Sequence, residues 1–368
     1  MRGIPSVVSV APSAPDEPYR IRGRVRTFIP SAHALTSVRL GQTSAVHFAA
    51  QLLASLAGFV ATLYIARELG SAVLGTYAVF IAVLIWLRTG VGAGLHQAVT
   101  KRVSEVDGGG RELGAALMVE VGGFVVVAIS LLVFGEPVDV YLGFEGASLL
   151  VVALAAVLAL SFVSATLRGE HRVHVSAMLQ PLDRIVRSSL QLSVVLLGVL
   201  GGGLVGLVWG YVAGAAIAAL CGIILLRIRP KLPGWAHVRS IIDFTRYAWL
   251  SGIEERTFSA MDTVILGLFV SSYLVGFAPV TSSQIGYYEV AWNLASLLAI
   301  FGTSVTQTLY PAISELESLA ADDEIGDLVT KGLAYSGLFL IPGFVGVLVI
   351  GNEVLAIYGA EFQRASTI

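Results

Sequence analysis

Residues 147–167 read ASLLVVALAAVLALSFVSATL, twenty-one positions without a charge, held between Glu145 and Arg168. As a helix rising 1.5 Å per residue, such a run spans about 30 Å, the thickness of a bilayer's hydrocarbon core. Lipid offers no hydrogen bonds, so a chain crossing it must pair its own amides and carbonyls. Within a run of this length the helix does so. A membrane-spanning helix is therefore predicted here.

Working outward, eight further runs of similar character follow: 44–66, 73–95, 113–134, 186–203, 205–226, 243–270, 285–309 and 332–350. The composition agrees, with 56% hydrophobic and 13% charged residues and a mean hydropathy of +0.82. Soluble domains are nearer 45–50% apolar and 25% charged. A soluble enzyme, a disordered scaffold and a nucleic-acid binder are excluded on this ground, so no nucleic acid is expected as a partner. The single Cys221 permits no internal disulfide.

The first 41 residues differ from the rest. They contain Pro5, Pro12, Pro15, Pro18 and Pro30 and the cluster Arg20, Arg22, Arg24 and Arg26. A loosely ordered cytoplasmic tail is expected. With the N-terminus inside, the tail and the loops at 96–112, 168–185, 227–242 and 310–331 carry most of the 23 basic residues, and the opposite loops carry Arg67 and Arg364. This is the positive-inside pattern. The loop from Glu315 to Lys331 is acidic, and an amphipathic interfacial helix is plausible there.

An internal echo suggests duplication. Gly75-Thr76-Tyr77-Ala78-Val79 opens the second run, and Gly286-Tyr287-Tyr288-Glu289-Val290 opens the eighth. Gly, Tyr two places on and Val four places on recur, six helices apart and with one membrane orientation. Parallel repeats imply two lobes related by an axis along the membrane normal. The expected fold is all-α, a polytopic membrane helix bundle with two pseudo-two-fold-related lobes, the second incomplete. Its divisions are a Pro/Arg-rich cytoplasmic tail (1–41), a six-helix N-lobe (42–226) and a three-helix partial C-lobe (227–368). The hinge is expected in the basic, proline-bearing Arg227–Pro233.

Particular stretches carry a resemblance. Tyr64-Ile65-Ala66-Arg67-Glu68-Leu69-Gly70 with Leu74–Ala78, Met261-Asp262-Thr263-Val264-Ile265-Leu266-Gly267, Ile285–Trp292 running on to Leu309–Glu315, and Glu353–Phe362 together resemble the polysaccharide flippases of the multidrug, oligosaccharidyl-lipid and polysaccharide exporter superfamily. The resemblance covers roughly residues 40–364. It implies twelve or fourteen helices, so the chain is expected to be C-terminally truncated. It further implies movement of a polyprenyl- or dolichyl-linked oligosaccharide from the cytoplasmic to the outer leaflet by alternating access. The partners implied are the lipid-linked oligosaccharide, membrane lipid, and glycan polymerase or oligosaccharyltransferase machinery. No cofactor, metal or catalytic residue is implied. The family's seventh-helix aspartate corresponds to Asp262, and Arg88 stands where the family pattern suggests an acid.

Charges within the runs are the candidate site, because a charge in hydrocarbon costs at least about 2.5–3.5 kcal/mol and so faces a cavity or a partner. Arg256 either lines the cavity and attracts a diphosphate or pairs with Glu254 or Glu255. Arginine suits phosphate through its planar fork. Arg88 either lines the cavity or snorkels to the inner interface, and Arg246 is expected to snorkel. Glu120 is the candidate coupling-ion residue, the alternative being a structural pair with an arginine. Asp262 is a cavity candidate with a structural alternative, and Glu289 is expected to be solvated. His47 and Gln51, four apart, share one helix face, as a sugar-facing stripe or a helix–helix hydrogen bond. Gly210 and Gly214 are spaced for close helix packing.

Two other function classes remain. A cation-coupled drug exporter of the same superfamily would need acids in the first lobe, where Glu120 is the deep one. A membrane glycan polymerase or ligase would carry a large outer loop with catalytic polar residues, whereas the outer loops here are short and nearly uncharged.

Overall fold

The computed structural model describes residues 31–105, 109–198, 202–270, 280–318 and 322–367, and for 31–48, 249–259, 297–301, 303–304, 307–308, 310–312, 314–316, 318, 322–323 and 365–367 the backbone alone. The chain divides into two units, Met1–Ala45 and Val46–Ile368. Apart from the first residues of α1, the helices belong to the second.

Every regular element among the described residues is helical. The order is α1 (Ser31–Glu105), α2 (Gly110–Val133), α3 (Gly135–Leu142), α4 (Ala147–Gly169), α5 (Val173–Leu197), α6 (Gly203–Leu225), α7 (Trp235–Val270), α8 (Ser282–Ser318), α9 (Asp322–Tyr358) and a 3₁₀ turn (Ala360–Thr367). Five stretches among the described residues are long and apolar enough to cross a membrane: Ala49–Glu105, Gly110–Val133, Ala147–Gly169, Gly203–Leu225 and Glu324–Tyr358. The apolar runs fall on helix to within a residue, except that 186–203 leaves helix after Leu197. The first two share α1, which is broken at Gly70, where φ is +81°. This is the left-handed region that glycine enters without a side-chain clash.

Boundaries moved where charge had masked helix. The run placed at 186–203 belongs to a helix that starts at Val173, so residues expected in a loop stand inside the bundle. The acidic stretch expected to form a separate interfacial helix instead extends the end of α8 and the start of α9.

Helices α4, α5 and α6 pack together, with α2 against α4 and α7, and α8 against α9. The main core joins Phe80 and Leu84 of α1, Leu150 and Leu154 of α4, and Val208 and Tyr211 of α6. Gly210 and Gly214 allow α6 to approach α5 closely. A Cβ on Gly210 would meet Gln191 Cγ at 2.9 Å, and one on Gly214 would meet the Asp183 carbonyl oxygen at 3.0 Å. At its Gly146 end, α4 is capped by Asp139, whose Oδ1 accepts from the Gly146 and Ala147 amides at 2.7 Å each.

The echoing glycines face each other. A Cβ on Gly75 would lie 1.9 Å from the Ser282 carbonyl oxygen, and one on Gly286 would lie 2.1 Å from the Ser71 carbonyl oxygen. Ser71 precedes Gly75 by the interval at which Ser282 precedes Gly286. Reciprocal contact of matched positions is the mark of a two-fold relation. Beside this crossing the Glu361 carboxylate accepts from Ser71 N at 2.7 Å and Ser71 Oγ at 3.1 Å. Ile65, Leu74, Tyr287, Leu355, Tyr358 and Phe362 fill the surrounding space. The Gly70 end of the bundle is thereby sealed.

The segment expected as a hinge is strapped down over most of its length. The Glu170 carboxylate accepts from the Arg227 and Ile228 amides at 2.9 and 2.7 Å. Lys231 N donates to the Gly110 carbonyl at 2.7 Å, and a Cβ on Gly114 would lie 2.0 Å from the Lys231 carbonyl oxygen.

Candidate functional site

Helix α5 decides the site. Its residues Gln180, Asp183, Arg184, Arg187 and Gln191 recur at intervals of three and four, which places them on one face. In a membrane bundle a polar stripe of this kind must turn inward. All of these residues but Gln191 line a cavity of about 810 Å³ with Arg88 and Lys101 of α1, and Ser161 and Arg168 of α4. Among the described residues of this wall, five cations (Arg88, Lys101, Arg168, Arg184 and Arg187) meet one carboxylate, Asp183. Gln97, Lys101, Ser104 and Arg168 are exposed, so the cavity opens at the Glu105 end, opposite the seal.

Arg187 is held by two neighbours. It donates to Asp183 one turn earlier on α5, and its guanidinium lies 3.8 Å from the Tyr211 ring centroid. Oδ1 of Asp183 and Nε of Arg187 are buried without a hydrogen-bond partner, an uncommon state for buried polar atoms. Gln191 closes the top of the stripe, donating to Tyr77 Oη at 2.8 Å and to the Leu207 carbonyl at 3.1 Å. At the cavity edge, Glu120 is buried against His96, with Nε2 and Oε1 3.0 Å apart.

A second chamber of about 490 Å³ lies toward the sealed end, and Ile81, Ile85 and Arg184 line both. Its wall includes Tyr77, Gln191, Asp262, Glu289, Trp292 and Asn293. Asp262 accepts hydrogen bonds from Tyr288 Oη and from Thr263 N. Asn293 Nδ2 donates to Glu289 Oε1 at 3.2 Å.

Of the expected site residues, Arg88 lines the basic cavity and Asp262 the second chamber. Glu120 is paired with a histidine and not with an arginine. Glu289, expected to be solvated, is half-buried in the second chamber wall. Gln51 is half-buried and lines neither chamber. The side chains of Arg256, Glu254, Glu255 and His47 lie outside the described residues. Asp183, Arg184 and Arg168 were missed because their charge lowers local hydropathy and ends an apolar run, whereas Arg187 lies inside the run 186–203 and was overlooked there. Their spacing of three and four was the available signal.

With this geometry in view, the family model for polysaccharide biosynthesis proteins matches residues 40–317. The chain belongs to this family. It is 30% identical over 323 residues to the probable flippase AglR of Haloferax volcanii, covering 87% of this chain and 65% of that protein. It is 28% identical over 339 residues to the probable low-salt glycan biosynthesis flippase Agl15 of the same organism, covering 89% of this chain and 67% of that protein. The chain thus spans about two thirds of the length of these relatives. The fold is shared with the lipid II flippase MurJ in an inward closed conformation, at TM-score 0.70 and 13% identity over 87% of this chain and 70% of that one. It is also shared with an inward-facing multidrug resistance MATE transporter of the MOP superfamily, at TM-score 0.59 and 15% identity over 85% and 75% of the two chains. The chain is a multi-pass membrane protein.

Proposed function

We propose that this chain flips a lipid-linked oligosaccharide from the cytoplasmic to the outer leaflet by alternating access, for surface polysaccharide or glycoprotein synthesis. Residues 42–226 form the first lobe and 227–368 part of the second, with residues 1–41 in the cytoplasm. In that orientation the basic cavity opens to the cytoplasm and the glycine crossing closes the outer side.

The observation that carries the reading is the five-to-one excess of cations around the cavity. Arg88 and Arg187 are half-buried in an apolar bundle, a costly place for charge, and the like charges of Lys101, Arg168 and Arg184 around the same cavity raise that cost. A dianionic diphosphate offsets it. Arginine forks accept no proton loss and donate in pairs to phosphate oxygens. Arg88 and Arg256 are assigned to the same role, and Asp262, Glu254, Glu255, His47 and Gln51 to the polar walls. The cationic wall also opposes a cationic drug as cargo. Glu120, buried beside His96 at the cavity edge, is the candidate coupling group.

The test is export in cells lacking the gene. The paired substitution Arg168→Gln and Arg184→Gln removes two charge-assisted contacts worth about 1.5–3 kcal/mol each, so export should fall at least about tenfold while membrane insertion is retained. Normal outer-leaflet glycan from the stably inserted variant would refute the assignment. Rescue by the unaltered 368-residue chain would show that its helices suffice for transport.

A further inference from the structure

The second chamber has a chemistry that a diphosphate site does not need. Among the described residues of its wall Arg184 is the one cation, against the carboxylates of Asp262 and Glu289. The sign of the charge therefore reverses on passing from the basic cavity to this chamber, across shared walls at Ile81, Ile85 and Arg184. Amides on two different helices, Gln191 of α5 and Asn293 of α8, reach it together with the Trp292 ring. Tyr288 and Trp292 stack with centroids 6.2 Å apart and planes 25° apart. Trp292 is 46% exposed, so its indole is not consumed by packing.

We propose that this chamber is a saccharide subsite that accepts a neutral sugar and rejects a uronic acid. The proposal rests on the flippase reading and adds the part of the cargo that the basic cavity does not explain. A sugar ring presents hydroxyls that both donate and accept around its edge and an apolar C–H face. Carboxylates and amides converging from several directions satisfy the edge, and an indole face covers the apolar side. Asp262 and Glu289 are partly engaged with Tyr288, Thr263 and Asn293, but a carboxylate has about four acceptor sites. These bonds orient the groups and leave acceptor capacity for hydroxyls. The volume of about 490 Å³ falls within the range of small-ligand sites. A sugar carboxylate brought into this wall would meet two like charges in a medium that screens them poorly. With the diphosphate in the basic cavity, the sugar attached to it reaches the second chamber directly, since the two are contiguous. The glycan then lies deepest, against the outer seal.

The experiment measures binding of three probes to the purified chain in nanodiscs: geranylgeranyl diphosphate, its glucosyl conjugate and its glucuronosyl conjugate. The unaltered chain is expected to bind the glucosyl conjugate at least tenfold more tightly than the other two. Asn293→Ala should erase that advantage and leave the bare diphosphate unchanged. Glu289→Gln should bring the glucuronosyl conjugate up toward the glucosyl one, again leaving the bare diphosphate unchanged. Arg168→Gln should weaken all three alike. Equal binding of bare and glucosyl probes by the unaltered chain overturns the saccharide subsite alone. Failure of the bare diphosphate to bind overturns the flippase reading and the subsite with it. A Glu289→Gln effect equal on all three probes, and present only with sodium, makes the chamber a cation site and likewise overturns the proposal.

Discussion

Replacing Gly75 by alanine tests the seal at the Gly70 end at its tightest point. The new Cβ would lie 1.9 Å from the Ser282 carbonyl oxygen and 2.7 Å from the Gly286 amide nitrogen. Ordinary contact begins near 3.4 Å. Both neighbours are backbone and cannot rotate away, so α1 and α8 must separate by roughly 1.5 Å. Overpacking of this kind costs about 1–3 kcal/mol. If the outward-open state parts these helices, that cost falls on the sealed state alone and shifts the balance about 5- to 150-fold. The assay uses a Cys221→Ser background carrying Ala66→Cys, since Ala66 is 1% exposed in the sealed cluster. Labelling by a membrane-impermeant maleimide should accelerate by the same factor. Gly286→Ala should behave alike, its Cβ lying 2.1 Å from the Ser71 carbonyl oxygen. Gly58→Ala serves as the control, because a Cβ there meets nothing within 4 Å. Unchanged labelling in Gly75→Ala, or an equal change in Gly58→Ala, would refute the seal.

Arg187→Ala leaves Asp183 as an unpaired buried carboxylate and should lower stability by about 3 kcal/mol, read as a drop in melting temperature. Asp183→Asn combined with Arg187→Gln should recover more than half of the loss, and no recovery would show that Arg187 acts through other contacts. Glu170→Ala removes the acceptor for the Arg227 and Ile228 amides; trypsin should then cut at 227–231 several times faster, and unchanged cleavage would mean the strap is held by Gly110 alone. Glu361→Gln weakens the two bonds from Ser71 by about 1 kcal/mol and should raise Ala66→Cys labelling severalfold. Glu120→Gln should abolish the dependence of export on an imposed proton gradient, and retained dependence would remove Glu120 from coupling.

What the sequence showed well was what lipid enforces. Apolar length sets the helices, so α2, α4 and α6 were legible to within a few residues. The echo of Gly75 and Gly286 was also legible, although only the coordinates show that the two glycines touch. Helix α5 was half hidden for a physical reason. Hydropathy averages over all faces of a helix, and the face of α5 that meets water inside the bundle carries Asp183, Arg184 and Arg187. An average reads Asp183 and Arg184 as a loop, whereas the period they share with Arg187 reads as an amphipathic helix turned inside out. Glu289 was misjudged because depth along the helix was counted without regard to direction, and its side chain turns toward α7 and the second chamber. The pairing of Glu120 with His96 joins α2 to α1 across 24 residues, which no spacing argument predicts.

The contrast between two glycine contacts bears on how such a bundle moves. At Gly210 and Gly214 the approach of α6 to α5 is wrapped by side chains, with Arg187 lying over Tyr211 and Gln191 bonded to both Tyr77 and the Leu207 carbonyl. Parting those helices would break the bond from Gln191 to the Leu207 carbonyl and lift Arg187 off the Tyr211 ring, losses of about 1–2 kcal/mol each. At Gly75 and Gly286 the contact is backbone on backbone. Opening it exposes carbonyls already bonded within their own helices, together with the Ser71–Glu361 bonds, which water replaces at small cost. The fold is therefore weakest where α1 crosses α8 and strong within the α4–α5–α6 group that carries most of the cations. Motion that opens the Gly70 end while keeping the cationic wall intact follows from that difference in what each contact leaves unpaired.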